Sequence, residues 1–183
     1  LEAAEKGKDY SRNLLQKQVD KGRLTEEKRD EVLARITPTA DYADLAGCDF
    51  VIEAVFEEVG VKQQVFADIE PIIAEDAIMA TNTSSLSVAE IGSKLRHPER
   101  LVGFHFFNPV AVMPLIEIVK TPHSSEAALS TAFIVAKALG KNAVLTADAP
   151  GFVVNRLLAK VMGEAAHAID VGTPLLTGEK AYA

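Results

Sequence analysis

The 183 residues contain a single cysteine, Cys48. With no second thiol, an internal disulfide is excluded, and so is a zinc cluster built on cysteines. Long hydrophobic runs are also missing: nothing approaches the roughly 18–20 uninterrupted apolar residues of a membrane-spanning helix. Basic residues are in deficit, 19 Lys and Arg against 26 Asp and Glu, for a net charge of −7. A surface of that sign repels phosphate backbones and argues against nucleic acid as a partner. The start carries neither a signal-peptide pattern nor an initiator Met; Leu1 already lies inside a helical pattern. The closing stretch, Thr173 to Ala183, is short and offers no strand or helix to complete a domain, so both ends read as cuts. What is present is balanced: 48% apolar and 25% charged residues, as in a soluble globular chain with room for one domain and part of another.

Helical patterns come first. Residues 1–20 are rich in helix formers and place Leu14, Leu15 and Val19 on one face. Thr25 is a natural N-cap with Glu26 and Glu27 in the first turn, and Val32, Leu33 and Ile36 form the expected buried stripe before Pro38 ends the helix. From there short apolar runs alternate with helices. Phe50–Ile52 and Ala77–Ala80 read as strands, with a helix between them carrying Val61, Val65, Phe66 and Ile69. Ser87 and Glu90 have the spacing of a capping box. Two further strands are expected at Leu101–Phe107 and Leu115–Val119, then a helix over about 125–139 stopped by Gly140, then a strand at Val144-Leu145. This order implies an α/β fold with a mainly parallel sheet. After Pro150-Gly151 a broad apolar stripe begins: Val154, Leu157, Leu158, Val161, Met162, Ala165 and Ile169. Such a helix needs partners that this chain does not supply, which places a domain boundary at Ala149–Gly151.

Residues suited to chemistry cluster in a few places. His105 sits among Phe104, Phe106 and Phe107, and Glu117 between Ile116 and Ile118. If these runs pair antiparallel around a loop centred on Ala111, positions 105 and 117 face each other on one side of the sheet. A carboxylate against an imidazole in apolar walls fixes the tautomer and leaves the other ring nitrogen a competent base near neutral pH. A purely structural hydrogen bond is the plain alternative. Asn82-Thr83-Ser84-Ser85 directly follows a strand, where open α/β sheets line their ligand crevice, although the same residues are ordinary turn formers. Asn155 and Arg156 fall in the first turn of the long helix, where solvated polar residues are usual. Glu57 and Lys62 flank a helix start that would suit nucleotide groups, and Lys6–Arg12 with Lys17 form a basic-leaning face that could meet a phosphorylated ligand; on charge alone both are better read as solvated.

Taken in order, Glu53-Ala54-Val55, Asn82-Thr83-Ser84-Ser85, Gly103-Phe104-His105-Phe106-Phe107-Asn108-Pro109, Met113-Pro114-Leu115-Ile116-Glu117 and Pro150-Gly151-Phe152-Val153-Val154-Asn155-Arg156 resemble the 3-hydroxyacyl-CoA dehydrogenases of fatty-acid β-oxidation. The likeness runs from about residue 1 to 172, and Lys17-Gln18-Val19 before Gly22 resembles the dehydrogenase part of multifunctional β-oxidation proteins. It implies an α/β fold: an incomplete Rossmann-like, mainly parallel sheet over residues 1–148, then the first helix of an all-α second domain over 149–183. It implies NAD as cofactor, an acyl-CoA substrate, and a parent that is homodimeric or part of a multifunctional complex, in the cytoplasm. On matching positions, His105 would take the proton of the substrate 3-hydroxyl and Glu117 would orient His105. Ser84 would bond the reacting oxygen beside the nicotinamide, and Asn155 would hold the thioester end. Glu57, Lys62, Asn82, Ser84 and Asn108 match NAD contacts, and Ser11 matches a contact to CoA, whose expected lysine further on has no clear counterpart here.

The departures from the pattern are specific. The family opens with a strand, a G-x-G-x-x-G turn and an acidic residue for the adenosine ribose, and no such turn occurs in the 183 residues. Glu58 stands where the family usually has Asn, and Leu175–Ala183 carries no recognisable string of the family. The chain alone is therefore expected to bind NAD weakly or not at all, to turn over negligibly, and to expose sheet edges and helix faces that favour association. Two other readings stay open: a related hydroxyacid dehydrogenase, whose usual catalytic lysine the His105/Glu117 pair argues against, and a non-catalytic acyl-CoA-binding or assembly module.

Overall fold

In the computed structural model, residues 1–172 are described; Thr173–Ala183, read above as too short to close a domain, lie outside the described residues. The chain divides into two compact units, Leu1–Ala46 and Gly47 onward. In the first, α1 (Glu2–Asp20) and α2 (Glu26–Ala34) are joined by a turn in which Gly22 takes the left-handed conformation, φ +64°. The Thr25 hydroxyl oxygen accepts the Lys28 N–H at 3.3 Å, as expected of an N-cap. The expected apolar stripes are shallower than read: only Leu33 is buried, and Leu14, Leu15, Val19, Val32 and Ile36 are half-buried. Helix α2 stops at Ala34, four residues before Pro38, because proline also bars the residue ahead of it from helical backbone.

The second unit is built on a five-stranded sheet in chain order: β1 (Phe50–Glu53), β2 (Ile78–Thr81), β3 (Leu101–Phe106), β4 (Leu115–Lys120) and β5 (Asn142–Ala147). The pairs β1–β2, β2–β3 and β4–β5 are parallel; β3 and β4 alone are antiparallel. The α/β, mainly parallel expectation is met. Helix α3 (Val59–Ile69) joins β1 to β2, the short α4 (Val88–Ile91) precedes β3, and α5 (Glu126–Ala138) joins β4 to β5. Ser125 caps α5 by accepting the Ala128 N–H at 3.1 Å, and Gly140 follows it at φ +69°. Ser87 caps α4 as predicted, and Asp148 adds what the sequence did not signal: its carboxylate accepts the Val88 and Ala89 N–H groups and the Ser87 hydroxyl at 2.8–3.0 Å.

Strand periodicity sorts the side chains into two faces. Ile78, Ala80, Val102, Phe104, Ile116 and Ile118 form one core with Ala128, Leu129, Ala132 and Ala136 of α5, and Phe50 and Phe106 pack edge-on against Phe104 at 5.4 and 5.3 Å. The opposite face carries Met79, Leu101 and Val119 and, at the carboxyl end of the parallel strands, the polar residues Glu53, Thr81 and His105. The last helix, α6 (Val154–Asp170), has no buried residue, and Leu157, Leu158, Val161, Met162 and Ile169 are all exposed. The edge strands are open too: Ile52 on β1 and Val144 and Leu145 on β5 are exposed. Among the described residues, no helix is long and apolar enough to cross a membrane.

Gly103 lets β3, β4 and α4 close on one another. A Cβ there would stand 2.5 Å from Val119 Cβ and 3.1 Å from Val88 Cγ2. Gly103→Ala is expected to lower stability by about 1–3 kcal/mol, the usual cost of overpacking, measured by urea unfolding. An unchanged midpoint would show that these strands part easily.

Candidate active site

The register sets His105 directly opposite Glu117. Both point away from α5, and His105 lies two residues beyond the last β3 residue paired with β2, at the sheet's carboxyl edge. His105 Nδ1 is 2.8 Å from Glu117 Oε2. Facing an acceptor, Nδ1 carries the proton, so Nε2 keeps its lone pair. The carboxylate is fully buried and the imidazole nearly so. Phe107 and Phe152 flank the ring at centroid distances of 4.7 and 5.6 Å.

A buried carboxylate in apolar walls needs further donors. Glu117 finds them in backbone: its Oε1 accepts the N–H groups of Val153 and Val154, each at 3.0 Å. These are unpaired donors at the start of α6, where the helix dipole also favours negative charge. They are aimed by an unusual turn. Gly151 and Phe152 are both left-handed, at φ +72° and +48°. A Cβ on Gly151 would press on Asn155 and Arg156 at 3.3–3.4 Å, while Phe152 sustains a conformation costing about 1–3 kcal/mol for a bulky residue. The sequence singled out Asn155 and Arg156 in this segment and missed the two N–H groups, which no side chain advertises.

A second network meets the same helix end. Glu57 Oε1 accepts the Thr83 hydroxyl at 2.6 Å, the Ser84 N–H at 2.8 Å and the Ser84 hydroxyl at 3.2 Å. The Ser84 carbonyl in turn accepts from the Asn155 amide at 3.2 Å. Asn82 Oδ1 accepts the Phe106 N–H at 3.0 Å, tying the end of β2 to the residue after His105. His105, Glu117, Ser84 and Asn155 are thus joined through the first turn of α6. Asn108 is exposed at the same edge of β3, and Ser11 belongs to α1 of the first unit.

Lys62 departs from its expected place. The solvated charge considered above is instead 1% exposed, its ammonium 2.8 Å from Glu53, 3.3 Å from Glu57 and 3.4 Å from the Val55 carbonyl. Glu53 also accepts the Thr81 hydroxyl at 2.7 Å and the Val55 N–H at 2.6 Å. Lys62 reaches the crevice only through Glu57, and Glu53 was not singled out as a site residue at all. Glu58 occupies the N-cap of α3 without a side-chain bond, a place that shorter side chains such as Asn cap better.

Burial pushes the Glu57 carboxyl up, but the Thr83 and Ser84 donors and the Lys62 ammonium outweigh it and hold the group below the ordinary carboxylate range. A lowered carboxyl stabilises the fold above its unfolded value of 4.5 and loses that contribution as pH falls through the folded value. Glu57→Gln should therefore flatten the acid limb of a stability–pH profile below about 4.5. Lys62→Met strands the Glu53 carboxylate and is expected to cost about 3–5 kcal/mol in chemical denaturation, with Glu53→Gln added on top restoring part of it. A harmless Lys62→Met would mean that water reaches Glu53.

The comparisons identify the family and the fold. Residues 1–149 match the family described as 3-hydroxyacyl-CoA dehydrogenase, NAD binding domain. The fatty acid oxidation complex subunit alpha of Pseudomonas entomophila is 44% identical over 179 residues, covering 98% of this chain and 25% of that protein. The chain thus spans about a quarter of the length of the curated relatives it matches. Among solved structures, 3-hydroxybutyryl-CoA dehydrogenase from Escherichia coli superposes with a TM-score of 0.91 at 33% identity, over 95% of this chain and 37% of that one. FadB2 of M. tuberculosis gives 0.86 at 38% identity, over 92% and 60%. By sequence and by fold, the chain belongs to the 3-hydroxyacyl-CoA dehydrogenase family.

Proposed function

We infer that the chain carries the base and substrate-orienting groups of an NAD-dependent oxidation of (S)-3-hydroxyacyl-CoA to 3-oxoacyl-CoA. One observation supports this above the others: His105 bonded through Nδ1 to a buried carboxylate, with Nε2 left free at the carboxyl edge of the sheet. In this reading Nε2 takes the proton of the 3-hydroxyl, and Glu117 balances the charge the imidazole gains. The Ser84 hydroxyl and the Asn155 amide lie within one hydrogen-bonded group, and in this reading they hold the reacting oxygen and the thioester carbonyl. Lys62 is committed to Glu53 and Glu57, which argues against a lysine base.

The residues present suit the nicotinamide end of the cofactor. The Glu57 carboxylate, the Asn82 amide and the Ser84 hydroxyl gather at the ends of the parallel strands, with Asn108 on their rim and Phe56 beside them 82% exposed. When bound, NAD supplies the acceptor for the hydride of the substrate carbon. The 183 residues hold no glycine-rich turn for its phosphates, so the chain alone is proposed to bind it weakly and to turn over negligibly. The bare face of α6 fits the first helix of a second domain beginning at Ala149–Gly151, and Ser11 on α1 is assigned to the CoA portion. The same reading makes the parent protein a cytoplasmic homodimer or a component of a multifunctional β-oxidation complex.

In a chain extended to the length of its relatives, His105→Gln, whose amide can still donate to Glu117, should slow acetoacetyl-CoA reduction by NADH ~10³-fold while the fold is kept. Retained activity would retire His105 as the base. For the 183 residues alone, titration calorimetry should detect no tight NAD binding; a micromolar dissociation constant would overturn the phosphate-site argument.

A further inference from the structure

We propose that the Gly151–Phe152 turn is a positioning device that sets the proton affinity of His105. The proposal rests on the reading of His105 as a base and extends it to backbone that no side-chain motif describes. Two consecutive left-handed residues, one of them phenylalanine, are costly, and they lie where the chain enters α6. Their conformation has two results. It packs the Phe152 ring on His105, and it delivers the N–H groups of Val153 and Val154 to the same oxygen of Glu117.

The second result has a definite chemical sense. Hydrogen bonds to a carboxylate make it a poorer base. They act most strongly while His105 is neutral and the full negative charge rests on Glu117. Once the imidazole is protonated, that charge is shared and the same bonds weaken. Two donors on Oε1 therefore favour the neutral imidazole and keep it from being locked as a cation by its partner. They also leave only Oε2 to face Nδ1, which fixes the tautomer that presents a bare Nε2. The other charged groups of this corner are Glu57, with Lys62 beneath it, and Arg156 in the first turn of α6; among the described residues none hydrogen-bonds His105.

The test is imidazole NMR of His105 across a pH titration of the 183-residue chain. In Gly151→Ala a Cβ is forced onto a left-handed backbone and into Asn155 and Arg156, so the turn opens and the two donors withdraw. The His105 midpoint should then rise by ~0.5–1 pH unit. Gly140→Ala is the control, because it imposes similar backbone strain at φ +69° in open space beyond α5. It should destabilise the chain and leave the midpoint in place. Should Gly151→Ala fail to fold, replacing the amide of Val154 by an ester removes one N–H alone, and the midpoint should rise by about half as much. An unmoved midpoint in Gly151→Ala or in the ester, or an equal shift in Gly140→Ala, overturns the proposal. Its failure is separable from that of the base assignment: His105→Gln would then still abolish activity, whereas an active His105→Gln with a shifting midpoint would spare the turn and remove the base.

Discussion

Glu117 is the point on which the candidate site depends. Its carboxylate has no access to solvent, and among the described residues its charge is supported by three donors: the imidazole of His105 and the backbone of Val153 and Val154. They come from two levels of the structure. His105 arrives by strand register, and the backbone donors arrive by the entry angle of a helix. Removing any of them leaves a buried charge short of partners, a larger penalty than the net worth of a typical hydrogen bond. The arrangement therefore couples sheet, turn and helix through a single side chain.

The neighbouring network uses the opposite device. Lys62 is buried between Glu53 and Glu57, and Glu57 passes its orientation to Ser84 and thence to Asn155. One carboxylate satisfies the ammonium from below, so the second is free to sit partly exposed and hold a serine in place. Such an ion pair adds little net stability compared with apolar packing of the same volume. Its contribution is geometric: it orients the carboxylate that accepts the hydroxyl at position 84.

How much of this was legible follows from what side chains can signal. The strands, the α5 stop at Gly140 and the His105–Glu117 opposition follow from apolar periodicity and from equal spacing about Ala111, both of which are written in side chains. The bare stripe of α6 was equally visible, as was its want of a partner. Three features were not. The left-handed pair at 151–152 includes a phenylalanine, which ordinary turn preferences would never place there. The donors at 153 and 154 are common to every residue, and valine gives them no signature. Lys62 and Glu53 were misjudged because a lone charge next to apolar residues reads as solvated unless its partner is known, and that partner is fixed by the packing of α3 on β1. The weak burial of α1 and α2 has the same origin, since a helical pattern says which face is apolar but not how deeply it is covered.

The reversed direction of β4 has a kinetic corollary. In a wholly parallel sheet, residues on adjacent strands are separated by a complete crossover, and their meeting awaits the docking of a helix. Here imidazole and carboxylate are twelve residues apart and meet across one hairpin. Low sequence separation favours early pairing, at the microsecond pace of hairpin closure, ahead of contacts that enclose longer loops. The His105–Glu117 pair can thus be in register before α6 arrives to seal it.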